Sequence, residues 1–391
     1  MTSWKASPRI FLLSIAAATA LAHTTWRVLL NNFVVEQIGM NGMQIGFLQS
    51  IREIPGLLGI GIILILWFCS EQRLVVFTLL ALGLGTAATG FFPSHLGLIY
   101  TTLLMSFGFH YTQALELSLT LQLTPKEKVH GMLGQMVSSD AVASMIIFII
   151  VMGLFHFGLL HYQGIYVVGG CATMAIALLI AFASPTFSSH TIQHQRFILR
   201  RRYWLYYILT FLSGARRQIF VVFAGFLMVE RFHFSLTKMA FLFLITQIIS
   251  SCCGPLIGKA VARIGERRAL CIEYAGLLIV FFGYALAQNA MLAAGLFVID
   301  NLFFAMAIAL KSYFKKIADP ADIAATSGVS SSINHIAAVI IPVTFGAFWL
   351  ISPGLVFGIG ACLSGISFLF ALAVPHGTVE KCPSASLSGV E

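Results

Sequence analysis

Twelve stretches of this chain are long and apolar enough to cross a bilayer, and they constrain its fold more than any other feature. They fall at 9–33, 43–68, 74–92, 96–122, 130–157, 164–184, 205–229, 236–261, 269–288, 290–312, 323–349 and 354–374. A hydrocarbon core about 30 Å thick takes roughly 20 helical residues. Only 9% of the 391 residues are charged and 59% are hydrophobic, with a mean hydropathy of +0.92. A soluble domain carries about a quarter charged residues, so this chain lacks the polar groups to cover a folded surface in water. Disorder is excluded for the same reason. The connections between the stretches are too short for a soluble catalytic domain. The expected fold class is an all-α integral membrane protein with twelve transmembrane helices, in which each helix satisfies its own backbone. The 34 Gly and 34 Phe suit helices that pack closely in lipid.

The first stretch has a second reading. Lys5 and Arg9, an apolar run, and then Ala20, Leu21 and Ala22 have the form of a signal peptide. The run continues through Val28, Leu29 and Leu30, however, and its removal would leave an odd number of spans. It is expected to stay as the first span.

The net charge is +9, and its placement is informative. Lys5 and Arg9 precede the first span, Arg73 follows the second, and Lys126 and Lys128 follow the fourth. Arg196, Arg200, Arg201 and Arg202 lie mid-chain, Lys259, Arg263, Arg267 and Arg268 follow the eighth span, and Lys315 and Lys316 follow the tenth. The alternate loops carry few, Arg231 and Lys238 among them. Positive-inside placement then puts both termini in the cytoplasm, and the expected location is the cytoplasmic (inner) membrane. The basic residues form no continuous stripe, so no nucleic-acid partner is expected. The seven Cys form no CxxC pattern and read as small packing residues. His190 and His194 have helical spacing but fall in a polar linker, so no metal site is expected and no cofactor either.

That linker divides the chain. Residues 1–184 read as one six-helix bundle, 185–204 as a cytoplasmic linker, 205–374 as a second bundle and 375–391 as a cytoplasmic tail. An offset of 194 residues superimposes Val35 and Glu36 on Val229 and Glu230, Glu53 on Gln247, Arg73 on Arg267, Gly134 on Gly328, Ser138 on Ser332 and Asp140 on Asn334.

Six plus six spans, a basic central linker and parallel halves resemble the major facilitator superfamily. The loop after the eighth span is similar to that family's signature: Gly258, then Ala262 where the family has Asp, then Arg263, Gly265, Arg267 and Arg268. The resemblance implies a gating role for this loop, although Ala262 departs from the pattern. The matching first-half loop around Arg73 has largely lost it. A Gly-Pro-rich fifth span, typical of drug/proton antiporters, is absent: residues 138–157 hold one Gly and no Pro. Pro342 and Gly346 can kink the eleventh span. The resemblance further implies that spans one, four, seven and ten line a central cavity.

Charged groups inside apolar spans are costly unless paired or wetted, which makes them functional candidates. Arg27, Asn31, Arg52, Tyr111, Gln113, Arg216, Arg217, Gln247 and Asn301 are the candidate substrate-binding residues. Arg is singled out because its planar fork grips carboxylate or phosphate with two hydrogen bonds. Arg216 and Arg217 are about 100° apart on a helix, so only one is expected to face the cavity. Glu53, Glu116, Asp140, Asp300, Lys311, His110 and His335 are candidates for proton coupling or ion pairing. Glu273 is a further charge within the ninth span. The competing role for these charges is internal pairing: Arg52 with Glu36 or Glu53, and Arg217 with Asp300.

No P-loop, HExxH, nucleophile elbow or Rossmann fingerprint occurs, so no enzyme activity is expected. The leading expectation is a monomeric secondary transporter that takes up a small anionic metabolite, such as a carboxylate-rich compound or a siderophore-like metal chelate, with protons or another coupling ion. Efflux of drugs or amphipathic metabolites is one alternative. A non-transporting membrane receptor or assembly protein is another.

Overall fold

A computed structural model describes residues 7–59, 61–183, 199–319 and 322–375. Lys5, most of the expected 185–204 linker with His190, His194 and Arg196, Cys382, and all but the first residue of the 375–391 tail lie outside the described residues. The described residues form helices joined by short loops. The first lobe holds α1 (Pro8–Phe33), α2 (Gly42–Leu57), α3 (Gly61–Leu66), α4 (Glu71–Thr89), α5 (His95–Leu123), α6 (Val129–His156) and α7 (Tyr162–Ala183). The second holds α8 (Trp204–Ile219), α9 (Gly225–Glu230), α10 (Leu236–Ile264), α11 (Glu266–Leu286), α12 (Ala290–Ala305), α13 (Ile308–Ile317), α14 (Ile323–Ile351) and α15 (Pro353–Leu372).

Three spans are interrupted. The second breaks between α2 and α3, where Gly56, Gly59 and Gly61 crowd a short stretch and leave the helix little to hold it. The tenth breaks between α12 and α13, where Met306 and Ala307 donate to carbonyls three residues back rather than four. In the seventh, a π-turn at Phe220–Ala224 joins α8 to α9. With these joined, the described helices make twelve spans. Nine pass a strict length-and-hydropathy test for crossing a membrane. The other three, α1, α2–α3 and α5, carry Arg27, the Arg52–Glu53 pair, and His110 with Glu116.

The starts of the helices reproduce the repeat seen in the sequence. Gly42 and Leu236, which open α2 and α10, are 194 residues apart, as are Val129 and Ile323, which open α6 and α14. The caps repeat as well: Asn41 and Ser235 each accept the backbone N–H three residues on, which satisfies a donor that the first turn leaves unpaired. Packing follows the same order. In the first lobe α1 packs on α6 and α7, and α4 on α5 and α7; in the second, α8 packs on α14 and α15, and α11 on α12 and α15.

The lobes meet along α2 with α14, α6 with α10, and α1 with α9 and α10. We call distal the end at which α1 finishes and α2 begins. Here Asn32 Nδ2 donates across the seam to the Phe234 carbonyl at 2.7 Å. A Cβ on Gly46 would lie 2.2 Å from the Pro342 carbonyl oxygen, so only glycine permits this approach of α2 to α14. Further along, Phe148 of α6 stacks on Phe243 of α10 with ring centroids 5.7 Å apart. The seam continues to the level of Glu53 and His335. Large apolar side chains such as Leu179 and Phe182 stand exposed on the outside of the bundle, as contact with lipid tails requires.

Candidate functional site

At the base of the distal seam lies a cavity of about 110 Å³. α1 contributes Trp26, Arg27, Leu30 and Asn31, α2 contributes Gln49 and Arg52, and α8 contributes Arg217. Phe220 and Val221 of the π-turn, Gly225 of α9, Phe243, Thr246, Gln247 and Ser250 of α10, and Phe297 and Asn301 of α12 complete the wall. A π-turn offsets the helical register, and here it brings Phe220 and Val221 to the cavity in the turn that follows Arg217.

Three of the described lining residues are Arg and none is Asp or Glu. Aromatic rings hold all three guanidinium groups. Arg27 Cζ lies 5.4 Å from the Phe243 centroid and 6.0 Å from that of Phe148, Arg52 lies 5.9 Å from Trp26, and Arg217 lies 5.7 Å from Phe304. Such contacts stabilise a desolvated cation without using its hydrogen-bond donors. Arg27 Nε is buried with no hydrogen-bond partner in the structure. Asp140 is close enough to act electrostatically on Arg27, and also on Glu116.

Six of the nine candidate substrate-binding residues line this cavity: Arg27, Asn31, Arg52, Arg217, Gln247 and Asn301. The other three do not. Arg216 is fully buried and turned toward α11, with Cζ 4.1 Å from the Tyr274 ring centroid. The 100° between neighbouring helical residues separates it from Arg217. Tyr111 donates to the Leu58 carbonyl at 3.1 Å, bridging α5 to the break in the second span. Gln113 is exposed on α5.

Arg52 pairs with its neighbour Glu53 and not with Glu36. Glu36 accepts instead from Asn32 Nδ2 at 2.8 Å and from Tyr162 at 2.7 Å, which leaves it no need of a cation. The expected Arg217–Asp300 ion pair does not close to contact among the described residues: Asp300 is fully buried within α12, while Arg217 faces the cavity and acts on it only through space. Asp300 feels Arg217, Arg216 and Glu273 through space, Glu273 feels Arg216, and neither carboxylate has a hydrogen-bond partner in the structure. Gln49, Thr246 and Ser250 are polar lining residues absent from the sequence-based candidates. Gln49 lies three residues before Arg52, one turn along the same face of α2, and that spacing was a usable signal.

Glu53, His110 and His335 converge on the seam beside the cavity. His335 Nδ1 lies 3.2 Å from Glu53 Oε2 and His110 Nε2 lies 3.8 Å from it. Lys311 is exposed.

In the loop between α10 and α11, Gly265 has φ +82°, and α11 starts at Glu266 directly after it. Gly258 has nothing within 4 Å of where its Cβ would be, Arg263 and Arg268 are exposed, and Arg267 is half-buried. Glu266 holds the ion pair in this loop, with Lys316 Nζ at 2.7 Å and the Ser312 hydroxyl at 2.7 Å. In the first lobe Glu71 makes the corresponding bonds to Ser118 at 3.0 Å and Gln122 at 2.9 Å. The first-half loop thus retains the geometry although its sequence pattern has faded. On the same side of the molecule Asp322 accepts from Arg200 at 2.6 Å, Arg202 at 2.8 Å and Tyr203 at 2.9 Å. Hydrogen bonds from Arg200, Tyr203 and Arg202 hold its carboxyl below the usual aspartate range.

No curated relative matches the chain in sequence. Among solved structures it is similar to the nucleoside transporter NupG, at 13% identity and TM-score 0.77, over 94% of this chain and 99% of that one. It is also similar to a D-xylose–proton symporter, at 12% identity and TM-score 0.74, over 95% and 98%. A bacterial homologue of the human lysosomal transporter Spinster, in an inward-facing and occupied conformation, aligns at 13% identity and TM-score 0.70 over 94% of each chain. At such identities these likenesses concern the fold. The sequence model of the Major Facilitator Superfamily matches residues 12–342. With that match over most of its length and twelve spans in two repeated lobes around a polar cavity, the chain belongs to the major facilitator superfamily of membrane transporters.

Proposed function

We propose that this protein is a secondary transporter that carries a compact anion, a small carboxylate or phosphate ester, across the cytoplasmic membrane by alternating access, with both termini in the cytoplasm. The observation that carries this reading is the cavity wall: Arg27 and Arg52 from one lobe and Arg217 from the other, with no carboxylate among the described lining residues. A site held between two lobes binds its substrate from both, so occupancy and rocking are linked. Arg52 is neutralised in part by Glu53, which leaves Arg27 and Arg217 as the principal anion grips. The cavity's size favours a compact acid over a bulky metal chelate, since sites for drug-sized ligands span roughly 300–1,000 Å³.

Proton-coupled uptake is the mode we infer. Asp140 lies near Arg27, with Glu116 near Asp140, and Asp300 lies near Arg217, so a carboxylate that exchanges a proton in either lobe would change the field at a grip. The similarity to a proton symporter is compatible with this reading.

The test is uptake of labelled di- and tricarboxylates and phosphate esters into proteoliposomes under an imposed proton gradient. Each charge-assisted contact is worth about 1.5–3 kcal/mol, so Arg27→Ala and Arg217→Ala are expected to weaken uptake by at least tenfold. Anion uptake untouched by both substitutions, or no uptake of any anion by folded protein, refutes the anion site.

A further inference from the structure

The cavity does not account for the cluster beside it. Glu53 of α2, His110 of α5 and His335 of α14 bring one ligand atom each to within 4.8 Å of one another. Both imidazoles address one oxygen, Glu53 Oε2, at 3.2 Å from His335 Nδ1 and 3.8 Å from His110 Nε2. The two rings stand nearly perpendicular, at 80° with centroids 5.1 Å apart. They converge edge-on and do not stack.

Four features point to an ion as the common target. First, a tetrahedral ion with bonds of about 2.1 Å separates its ligand atoms by about 3.4 Å, and the two measured separations bracket that value. Second, His110 Nε2 is buried and has no hydrogen-bond partner in the structure, although its side chain is only 10% exposed and it points into the cluster. Third, Gly56, three residues beyond Glu53, makes the space. A Cβ there would lie 2.4 Å from His335 Cε1 and 2.9 Å from His110 Nδ1, so a larger residue would force both rings away. Fourth, Arg52 occupies the other carboxylate oxygen of Glu53 and fixes the rotation of the group, so that Oε2 faces the rings at hydrogen-bond distance from His335 Nδ1, where an ion would take the place of the shared proton. Hydrogen-bonded carboxylates of this kind orient ligands in metal sites.

We propose that Glu53, His110 and His335 form a binding site for a divalent transition-metal ion of the zinc class. Two imidazoles and one carboxylate are the donor set that Zn²⁺ and its neighbours prefer, with a fourth position left to solvent. The ligands come from both lobes: α2 and α5 belong to the first and α14 to the second. A bound ion therefore staples the lobes in the arrangement seen here, and parting them along α2 and α14 requires its release. The site adjoins the anion cavity and shares Arg52 with it as a support, but none of its three ligands lines that cavity, and the proposal does not depend on the reading of the cavity.

The experiment uses the full-length protein without a histidine tag and Co²⁺ as a spectroscopic probe. One equivalent is expected to bind at micromolar concentration, to give the intense visible bands of four-coordinate cobalt, and to be displaced by Zn²⁺. His110→Ala and His335→Ala are each expected to abolish the bands in protein that remains monodisperse and helical by circular dichroism. Should either variant fail to fold, X-ray absorption at the zinc edge of the wild-type protein decides the matter, with two imidazoles and one carboxylate oxygen at about 2.0–2.2 Å expected. Binding only at millimolar metal marks an adventitious ion only and overturns the proposal. Bands that survive both substitutions, or a zinc edge without imidazole scattering, also overturn it. None of these readouts involves flux, so they stand or fall apart from the transport reading.

Discussion

Gly46 offers the sharpest test of how the lobes are held. A Cβ at this position would meet the Pro342 carbonyl oxygen at 2.2 Å and the Cα of Gly346 at 3.2 Å. The reciprocal contact is also close, because a Cβ on Gly346 would lie 2.8 Å from the Gly42 carbonyl oxygen. Non-bonded heavy atoms settle at about 3.5–4.0 Å, so Gly46→Ala must push α2 and α14 apart by about 1 Å at the distal seam. Backbone atoms make the clash, and no side-chain rotation relieves it. Overpacking of this kind costs about 1–3 kcal/mol. Because the contact joins the lobes, the cost falls on the distally closed state and not on either lobe by itself. The equilibrium between distally closed and distally open forms should therefore shift by about 5- to 150-fold toward the open form. The assay is a pulsed EPR distance between spin labels at Pro93→Cys and Gln288→Cys, both exposed in distal loops of opposite lobes, in a background without native cysteines. Gly46→Ala should lengthen the distance distribution while the thermal unfolding midpoint changes little. An unchanged or shorter distance in folded protein refutes the argument that this seam sets the conformational balance.

Three further outcomes follow from the geometry. Arg216→Met removes the fully buried cation that acts on Glu273 and, with Arg217, on Asp300, and breaking such a group costs about 3–5 kcal/mol. Its unfolding midpoint should therefore fall well below that of Arg217→Met, and equal midpoints would refute the separate roles given to these neighbours. Asp322→Asn should destabilise the protein at neutral pH. Its carboxyl is held below its usual range, so its contribution is complete above about pH 4, the ordinary aspartate value, and fades as pH falls through the lowered one. The gap in midpoint between wild type and variant should close in acid, and a gap that stays constant would show that Asp322 acts only by packing. Gly265→Ala meets no neighbour within 4 Å but must adopt φ +82°. The cost of about 1–3 kcal/mol is then purely one of backbone, and an alanine variant as stable as wild type would remove it.

Much of this was legible in the sequence because it depends on local chemistry. The apolar lengths gave twelve spans, and the 194-residue offset anticipated starts such as Gly42 with Leu236 and Val129 with Ile323. The family resemblance was readable in the span count and the loop around Gly265, and the match over residues 12–342 bears out the family. Sequence also showed that Arg216 and Arg217 diverge, since adjacent helical positions cannot share a direction. It did not show which of the two faces the cavity, because that depends on how α8 is rotated against α11 and α14. For the same reason Tyr111 and Gln113, which lie on a cavity-lining helix by family analogy, take other positions. The breaks at Leu57 and Ala305 were not visible in hydropathy, which averages across them.

The chain alone thus determined its solvent, its spans and its twofold repetition, since each follows from transfer energies and helix length summed along one segment. Only the tertiary structure decided partners. It brought Glu53 to His335 across 282 positions, placed Arg27 beneath Phe243 of the other lobe, and set Glu266 against Lys316 where the signature lacks its acidic residue. Such contacts depend on the rotation and depth of packed helices, which weak forces over large surfaces fix and no local window of sequence records.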